Sequence, residues 1–411
     1  MRVSFYGNFG AGNLGNECTL QAIIEQILHY QPDAQMLCFC TDPKDVQSRH
    51  HIAALPCAVV RTGSWGGSSL RRFLRIVFRW IPLEIAHWIR CIGPLNRSDM
   101  FIVAGTGIVN DYLTGPLGWP YEMFRLSVLG GILRTKVVFL SVGVGPIHHP
   151  LSRWIIKRSL AAASFRSYRD QASRDYVEKI GFDTSRDHVY PDVVFGLSQE
   201  NLPPQIAAAG ERRIVGLGLK DYYGSPDSPD AGTHRQYLRT TAEFISWLHA
   251  HGYSVRLLIG DMQYDNPVIS EFVRLLGELG IATQEPLLMV ESAHTVADVL
   301  RQIAQTEAVI SARYHNLVMA LIQGKPVIAL SDHAKLDSVV GDFGLAKYRL
   351  PLENLRIDAL IERFRELESE RDRLKPYVRA GVDRYRHELD QQYAALFGER
   401  RVAVPTAPLT R

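Results

Sequence analysis

Two side chains able to bind anions and move protons, Arg313 and His315, stand two positions apart in the stretch Ala308–Ser331, AVISARYHNLVMALIQGKPVIALS. A guanidinium can grip a phosphate or carboxylate through two parallel N–H bonds, and an imidazole exchanges a proton near neutral pH. The elements that must position them follow from the pattern. Val309-Ile310 ends a run too apolar and too short for anything but an interior parallel strand. Leu317 and Leu321 continue at helical spacing until Gly324 and Pro326 stop the helix. Arg313 and His315 therefore fall at a helix N-terminus, where unpaired backbone N–H groups and the positive end of the helix dipole favour an anion. The corner reads as a phosphate or carboxylate site. The ordinary alternative, in which Arg313 pairs with a nearby carboxylate and His315 covers the helix end, suffices for the corner taken alone.

The chain opens MRVSFYGNFGAGNLGNECTLQAIIEQIL. A short strand, Val3–Tyr6, enters a loop holding Gly7, Gly10, Gly12 and Gly15, and an amphipathic helix follows through Ile23, Ile24, Ile27 and Leu28. Glycines let the backbone approach a ligand closely. No Gly-Lys-Ser/Thr follows, so this is not a Walker A loop, and the spacing does not give the dinucleotide fingerprint in register with an acidic ribose partner.

Further segments share this strand-then-loop character: FIVAGTGIVND (Phe101–Asp111), VVFLSVGVGPI (Val137–Ile147), and FRSYRDQASRDYVEKIG (Phe165–Gly181) with Asp192 downstream. In order, the chain carries Asn13-Leu14-Gly15-Asn16-Glu17, Gly105-Thr106-Gly107 with Asp111, Gly143-Val144-Gly145-Pro146, Arg169-Asp170-Gln171-Ala172-Ser173 with Asp192, and Arg313-Tyr314-His315 with Lys335. This ordered set resembles the polysaccharide pyruvyl transferase family and spans most of the chain. Four positions depart from the family pattern. Asn16 stands where Asp is usual, Thr106 interrupts a glycine triplet, Tyr314 replaces Leu, and Lys220 stands where many members carry Arg. Lys220 keeps the charge but lacks the planar fork.

The resemblance implies an enzyme that moves the enolpyruvyl unit of phosphoenolpyruvate onto a sugar of a polysaccharide or lipid-linked oligosaccharide, closing a pyruvate ketal across two hydroxyls. That chemistry needs cations for a phosphate and a carboxylate, and an acid to protonate the methylene carbon so that a sugar hydroxyl attacks the cationic centre. Arg169, Arg313 and Lys335 are candidates for the anion clamp, with Lys220 beside them, and His315 is the candidate general acid/base. The motif residues Asn13, Glu17, Gly105, Thr106, Gly107, Asp111, Gly143 and Gly145 are further substrate-binding candidates, with Asp111 and Asp192 expected to order loops or meet acceptor hydroxyls. The chemistry demands no metal and no cofactor beyond the donor substrate. Two alternatives stay open: a glycosyltransferase of the GT-B type using a nucleotide sugar, and a non-catalytic protein that binds acidic saccharides.

Composition restricts the partners. The 411 residues are 46% hydrophobic and carry 46 basic against 43 acidic side chains, a net charge of +3. So balanced a chain has no global field for nucleic acid. Cys18, Cys38, Cys40, Cys57 and Cys91 show neither zinc spacing nor a Cys-x-x-Cys pair, and are expected to be small buried thiols in a reduced cytosol. The first strand begins at once, without a secretory leader, so a cytoplasmic protein is expected. Leu70–Ile92, LRRFLRIVFRWIPLEIAHWIRCI, is too often interrupted by charge to span a membrane. Its mixture of Arg71, Arg72, Arg75 and Arg79 with aromatic residues suits either a helix on the inner face of an anionic bilayer or an ordinary packing helix with outward arginines.

These elements predict an α/β fold of two doubly wound, Rossmann-like domains facing a cleft, similar to the GT-B arrangement. Residues 1–200 are the expected acceptor side, with strands at Val3–Tyr6, Gln35–Phe39, Val59-Val60, Met100–Ala104, Val137–Val142 and Phe165–Tyr168. A linker is expected in Ser198–Gly210. Residues 211–375 are the expected donor side, with strands at Ile214–Leu219, Ser254–Ile259, Ala308–Ser311 and Val327–Leu330 and a candidate lid at Asp221–Gly232. The charged helical pattern of Leu355–Phe397 is expected to break at Pro376, so that 376–411 form a separate helix and a disordered tail.

Overall fold

A computed structural model describes residues 1–57, 78, 81–112, 114–204, 212–225 and 228–398. The expected strand at Val59-Val60, the arginines Arg71, Arg72, Arg75 and Arg79, residues 205–210 of the expected linker and the C-terminal tail from 402 lie outside these residues. The chain divides into two compact units. The first holds Met1–Ala11, Thr19–Val193 and the chain from Glu388, and the second holds Gly12–Cys18 and Val194–His387.

The sheet of the first unit has seven strands: β1 (Arg2–Tyr6), β2 (Gln35–Cys40), β3 (Ala53–Pro56), β4 (Met100–Val103), β5 (Lys136–Val142), β6 (Phe165–Tyr168) and β7 (His188–Val189). They are all parallel, in the order β3-β2-β1-β4-β5-β6-β7. The second unit holds β8 (Arg213–Gly218), β9 (Tyr253–Leu258), β10 (Leu288–Met289), β11 (Ala308–Ser311), β12 (Val327–Ser331) and β13 (Arg349–Pro351). These too are all parallel, in the order β10-β9-β8-β11-β12-β13. Helices on both faces of a parallel sheet bury its strands completely, so β4 reads as an unbroken apolar run and β11 and β12 as apolar runs closed by a serine, with every residue buried. In each sheet the first strand lies inside and the order reverses beside it, between β1 and β4 and between β8 and β11. Loops diverge at that point and open a crevice at the carboxyl ends of the strands.

Acidic caps start several of the helices. Asp170 accepts from Ser173 N at 2.7 Å and begins the helix Gln171–Lys179 expected from the Arg-Asp-x-x-Ser pattern. Asp261 likewise accepts from Gln263 N and Tyr264 N at the head of Met262–Glu278. The expected break at Pro376 does not occur: Ile357–Phe397 is one 41-residue helix with Pro376 inside it. Pro376 and Asp372, whose carbonyl loses its N–H partner, are both exposed, so water can satisfy the freed oxygen. None of the five cysteines forms a disulfide; Cys57 is half-buried and the other four are buried.

Candidate active site

The Arg313 corner forms as the sequence predicts. β11 ends at Ser311, Arg313 occupies the N-cap with φ −97° and ψ 121°, and the helix runs Tyr314–Ile322. Ser311 Oγ accepts from Arg313 N at 2.9 Å and pins the turn. Arg313 also has the carboxylate partner of the ordinary alternative: its Nη2 is bonded to Asp265 Oδ1. Asp265 is fully buried, and its other oxygen accepts from Gly260 N at 2.8 Å and Asp261 N at 2.9 Å. Burial pushes the Asp265 carboxyl above its ordinary value, against the opposing pull of Arg313 and the two N–H groups. Asp265 therefore orients one nitrogen of a guanidinium that keeps 21% of its exposure.

The N-terminal glycine loop comes to this corner. Asn13 Nδ2 donates to Asp261 Oδ2 at 2.8 Å, Leu14 N to Gly260 O at 3.0 Å, and Met262 N to Gly12 O at 2.9 Å. Asn13 Oδ1 in turn accepts from Asn16 N at 3.0 Å, which seats the first turn of the helix Leu14–Tyr30, where Glu17 is buried. A Cβ on Gly15 would fall 2.0 Å from His315 Nδ1, so glycine is required for the imidazole to lie against the loop. The Tyr314 and His315 rings meet edge to face with centroids 5.2 Å apart, and Lys335 Nζ lies 5.8 Å from the Tyr314 centroid. Lys220, just beyond β8, is ion-paired with Asp332, just beyond β12.

Asn13, Glu17, Lys220, Arg313, His315 and Lys335 thus belong to the second unit, which offers cations, an imidazole and a helix N-terminus to an anion. Sequence reasoning missed Asp261, Asp265, Asp332 and Asn316. Asn316 is fully buried with neither amide atom hydrogen-bonded, and glycines give it room. A Cβ on Gly218 would come within 2.6 Å of its Nδ2, and one on Gly260 within 3.3 Å of its Oδ1. The detectable signal was Gly260-Asp261 after β9 with one residue between, a pattern of the same kind as the other corners.

The remaining candidates, Arg169, Gly105, Thr106, Gly107, Asp111, Gly143 and Gly145, belong to the first unit. Val109 and Val144 form an isolated parallel bridge, and Gly145 N donates to Val109 O at 3.1 Å, joining the loops that leave β4 and β5. Gly105 lies against β5, where a Cβ would fall 2.8 Å from Leu140 O. Thr106 is buried and its Oγ1 has no hydrogen-bond partner, whereas a Cβ on Gly107 would meet nothing within 4 Å. Asp111 accepts from His148 N at 3.0 Å and His149 N at 2.8 Å. Burial raises its pKa, but these N–H groups and Ser152 outweigh that and hold it below the ordinary value, so Asp111 orders the loop as an ionised carboxylate.

Arg169 packs its guanidinium where a Gly143 side chain would stand, with the Cβ position 2.4 Å from Cζ, and has Asp170 at 3.4 Å and Asp192 at 3.8 Å. The strand end beside it is irregular. β5 shifts register between Phe139 and Val142, and Ser141 adopts φ 44°, left-handed backbone that a non-glycine residue rarely takes. A buried network fixes it: Ser167 Oγ accepts from Ser141 N at 2.8 Å, and Gln392 Nε2 donates to Ser167 Oγ at 2.6 Å and Ser141 Oγ at 3.1 Å.

Among the described residues, no group of three or more His, Cys, Asp or Glu is placed to hold a metal ion. Two all-parallel Rossmann-like sheets, each with polar corners at its strand ends, define a GT-B-type α/β protein. Solved structures share that fold along nearly the whole chain. A UDP-N-acetylglucosamine 2-epimerase superposes with a TM-score of 0.60 at 12% identity, covering 99% of this chain and 98% of the other. The Neisseria meningitidis UDP-GlcNAc 2-epimerase bound to UDP-GlcNAc gives 0.58 at 10% identity over 96% and 100%. Anabaena HepE in complex with UDP and glucose gives 0.58 at 12% identity over 96% and 100%. At such identities the likeness shows the fold alone. No curated protein matches the chain. The model of the polysaccharide pyruvyl transferase family matches residues 13–333, from Asn13 through the Arg313 corner, and the chain belongs to that family. It is therefore a transferase; Lys335 stands two residues beyond the match.

Proposed function

We propose that the protein transfers the enolpyruvyl unit of phosphoenolpyruvate to a sugar of a polysaccharide or lipid-linked oligosaccharide, forming a pyruvate ketal. The observation that carries this reading is the second-unit corner, where Arg313 at a helix N-terminus, the His315 imidazole against Gly15 and the nearby Lys335 gather on residues of the family match or beside it. Arg313 and Lys335, with Lys220, receive the donor's phosphate and carboxylate, while the second unit serves the donor and the first, with Arg169 and its glycine loops, serves the acceptor. His315 gives a proton to the methylene carbon of the donor, and C2 gains cationic character. A sugar hydroxyl bonds to C2 and loses its proton to a base, phosphate departs with its bridging oxygen, and a second hydroxyl closes the ketal. Of the two hydroxyl protons, one replaces that given by His315 and one leaves with phosphate, so the residues return to their starting state. On this reading the enzyme works in the cytoplasm, where such a donor is available, and supplies modified exopolysaccharide for the cell envelope.

Thermal unfolding with phosphoenolpyruvate and, separately, with UDP-GlcNAc tests the donor. A ligand at about 100 times its dissociation constant stabilises the folded state by roughly 2.7 kcal/mol. Stabilisation by phosphoenolpyruvate, and phosphate release that requires a saccharide acceptor, are the expected results. Stabilisation by the nucleotide sugar alone would overturn the reading.

A further inference from the structure

One face of the first unit is built from three helices packed side by side: Ile81–Asn96, Trp119–Ile132 and Pro150–Ala161. Their inner sides supply Leu95, Leu126 and Ile156 to the core. The outer side of Ile81–Asn96 is unusual for a globular surface. Ile81, Ile85, Ile89 and Ile92 recur at helical spacing and are all exposed, Ile85 by 55% and Ile89 by 61%. An aromatic ribbon crosses the three helices. Trp88 Nε1 donates to Tyr121 OH at 3.1 Å, Tyr121 stacks on Phe124 at 6.4 Å, and Phe124 meets Trp154 at 6.0 Å, with Trp154 48% exposed.

Charge on this face has one sign. The first two helices each contain a single acid, Glu84 and Glu122, and both are buried in ion pairs with Arg125; the third contains none. Arg90, Arg153 and Arg158 are exposed, Arg158 over the Trp154 ring at 5.5 Å. An acidic soluble protein would meet the arginines but leave the isoleucine stripe without a counterpart. A second copy of this face would bring like charges together. Anionic headgroups over acyl chains match the arginines, the amphipathic aromatics and the isoleucines together. Among the described residues no helix is long and apolar enough to cross a membrane, so the contact is a surface one.

We propose that this three-helix face docks the protein on an anionic lipid surface, with the Ile81–Asn96 stripe entering the headgroup boundary and Arg90, Arg153 and Arg158 meeting the headgroups. The inference is independent of the donor assignment, because its test needs no turnover. Full-length protein is sedimented with vesicles of phosphatidylglycerol and phosphatidylcholine, or of phosphatidylcholine alone, at low and high salt. The wild type is expected to sediment with the anionic vesicles at low salt only. The triple substitution Arg90→Gln, Arg153→Gln, Arg158→Gln should lower partitioning about 100-fold. Ile85→Asp with Ile89→Asp should abolish it, each variant keeping the wild-type melting temperature. Wild-type protein that stays in the supernatant overturns the proposal. So does undiminished binding of both variants, which would assign the contact to another surface. A dimer by light scattering that Ile85→Asp with Ile89→Asp dissolves would give the face to a second copy and equally overturn it.

Discussion

Arg169 in the first unit and Arg313 in the second follow strand ends of the same kind, yet their surroundings differ. Arg169 is 8% exposed and has two carboxylates near it, Asp170 and Asp192, in a fold where Gly143 leaves room for the guanidinium. Arg313 keeps more exposure, has a single carboxylate on one nitrogen, and sits at the head of a helix whose dipole adds positive potential. A guanidinium flanked by two carboxylates has little attraction left for an anion, whereas one oriented by a single buried carboxylate remains both charged and preorganised. On the function proposed, phosphate and carboxylate of the donor go to Arg313, and the first unit presents a more neutral surface suited to hydroxyls.

The largest effect should fall on His315. His315→Ala is expected to lower turnover about 100- to 10,000-fold while thermal stabilisation by phosphoenolpyruvate persists. The pH profile of the wild type should lose one limb in the variant. A loss confined to donor affinity would make His315 a binding group and move the proton donor elsewhere.

A pair of glycine substitutions contrasts the two regions directly. Gly15→Ala would drive a methyl into the imidazole, and Gly143→Ala would drive one into the Arg169 guanidinium. Gly15→Ala should approach the turnover loss of His315→Ala, because the ring or the loop must move. Gly143→Ala should act chiefly on acceptor KM. If Gly143→Ala instead abolished donor binding and Gly15→Ala left turnover intact, the donor and acceptor roles of the units would be reversed.

Next in size are changes at the Arg313 pair. Hydrogen bonds to charged groups contribute about 1.5–3 kcal/mol, so Arg313→Lys, which keeps charge but loses the fork, should weaken donor binding roughly 10- to 100-fold. Asp265→Asn should weaken it by a similar factor, since the guanidinium is then no longer oriented. Arg169→Lys should change donor affinity much less. Equal losses in donor affinity at Arg169 and Arg313, read by calorimetric titration, would remove the distinction between the two.

What could be read before the fold was known follows from how local each feature is. β4, β5 and β11 were legible because interior parallel strands are largely apolar runs, and the Arg313 corner because its strand, N-cap and helix lie within the fifteen residues 308–322. β3, β7, β10 and β13 were not, because edge strands of two to four residues carry too few positions to show a pattern. Pro376 misled because its carbonyl partner faces water. The carboxylates that hold the cations were invisible for another reason: Asp265 is 48 residues from Arg313 and Asp332 is 112 from Lys220, so only the order of β8, β9, β11 and β12 brings them together. The approach of Gly15 to His315 likewise depends on residues 12–18 grouping with the second unit. Within the first unit, Gln392 reaches Ser141 across 251 residues.

The smallest expected effect is the sharpest probe of the first unit. Gly105 and Gly107 flank Thr106, but only Gly105 is held by contact with β5; Gly107 has open space where a side chain would stand. Gly107→Ala should therefore leave the melting temperature within about 1 °C of wild type, since a surface substitution that touches nothing changes stability by under about 0.5 kcal/mol. If that open space admits the acceptor, the added methyl should raise acceptor KM a few-fold and leave kcat and donor affinity alone, because only ground-state and transition-state binding of the saccharide are reduced together. Gly105→Ala provides the opposite control, with a clear fall in stability from the clash with Leu140 O. Unchanged acceptor KM in Gly107→Ala would show that the space is not filled in catalysis, and would leave Arg169 and the loop leaving β5 as the first unit's claim on the saccharide.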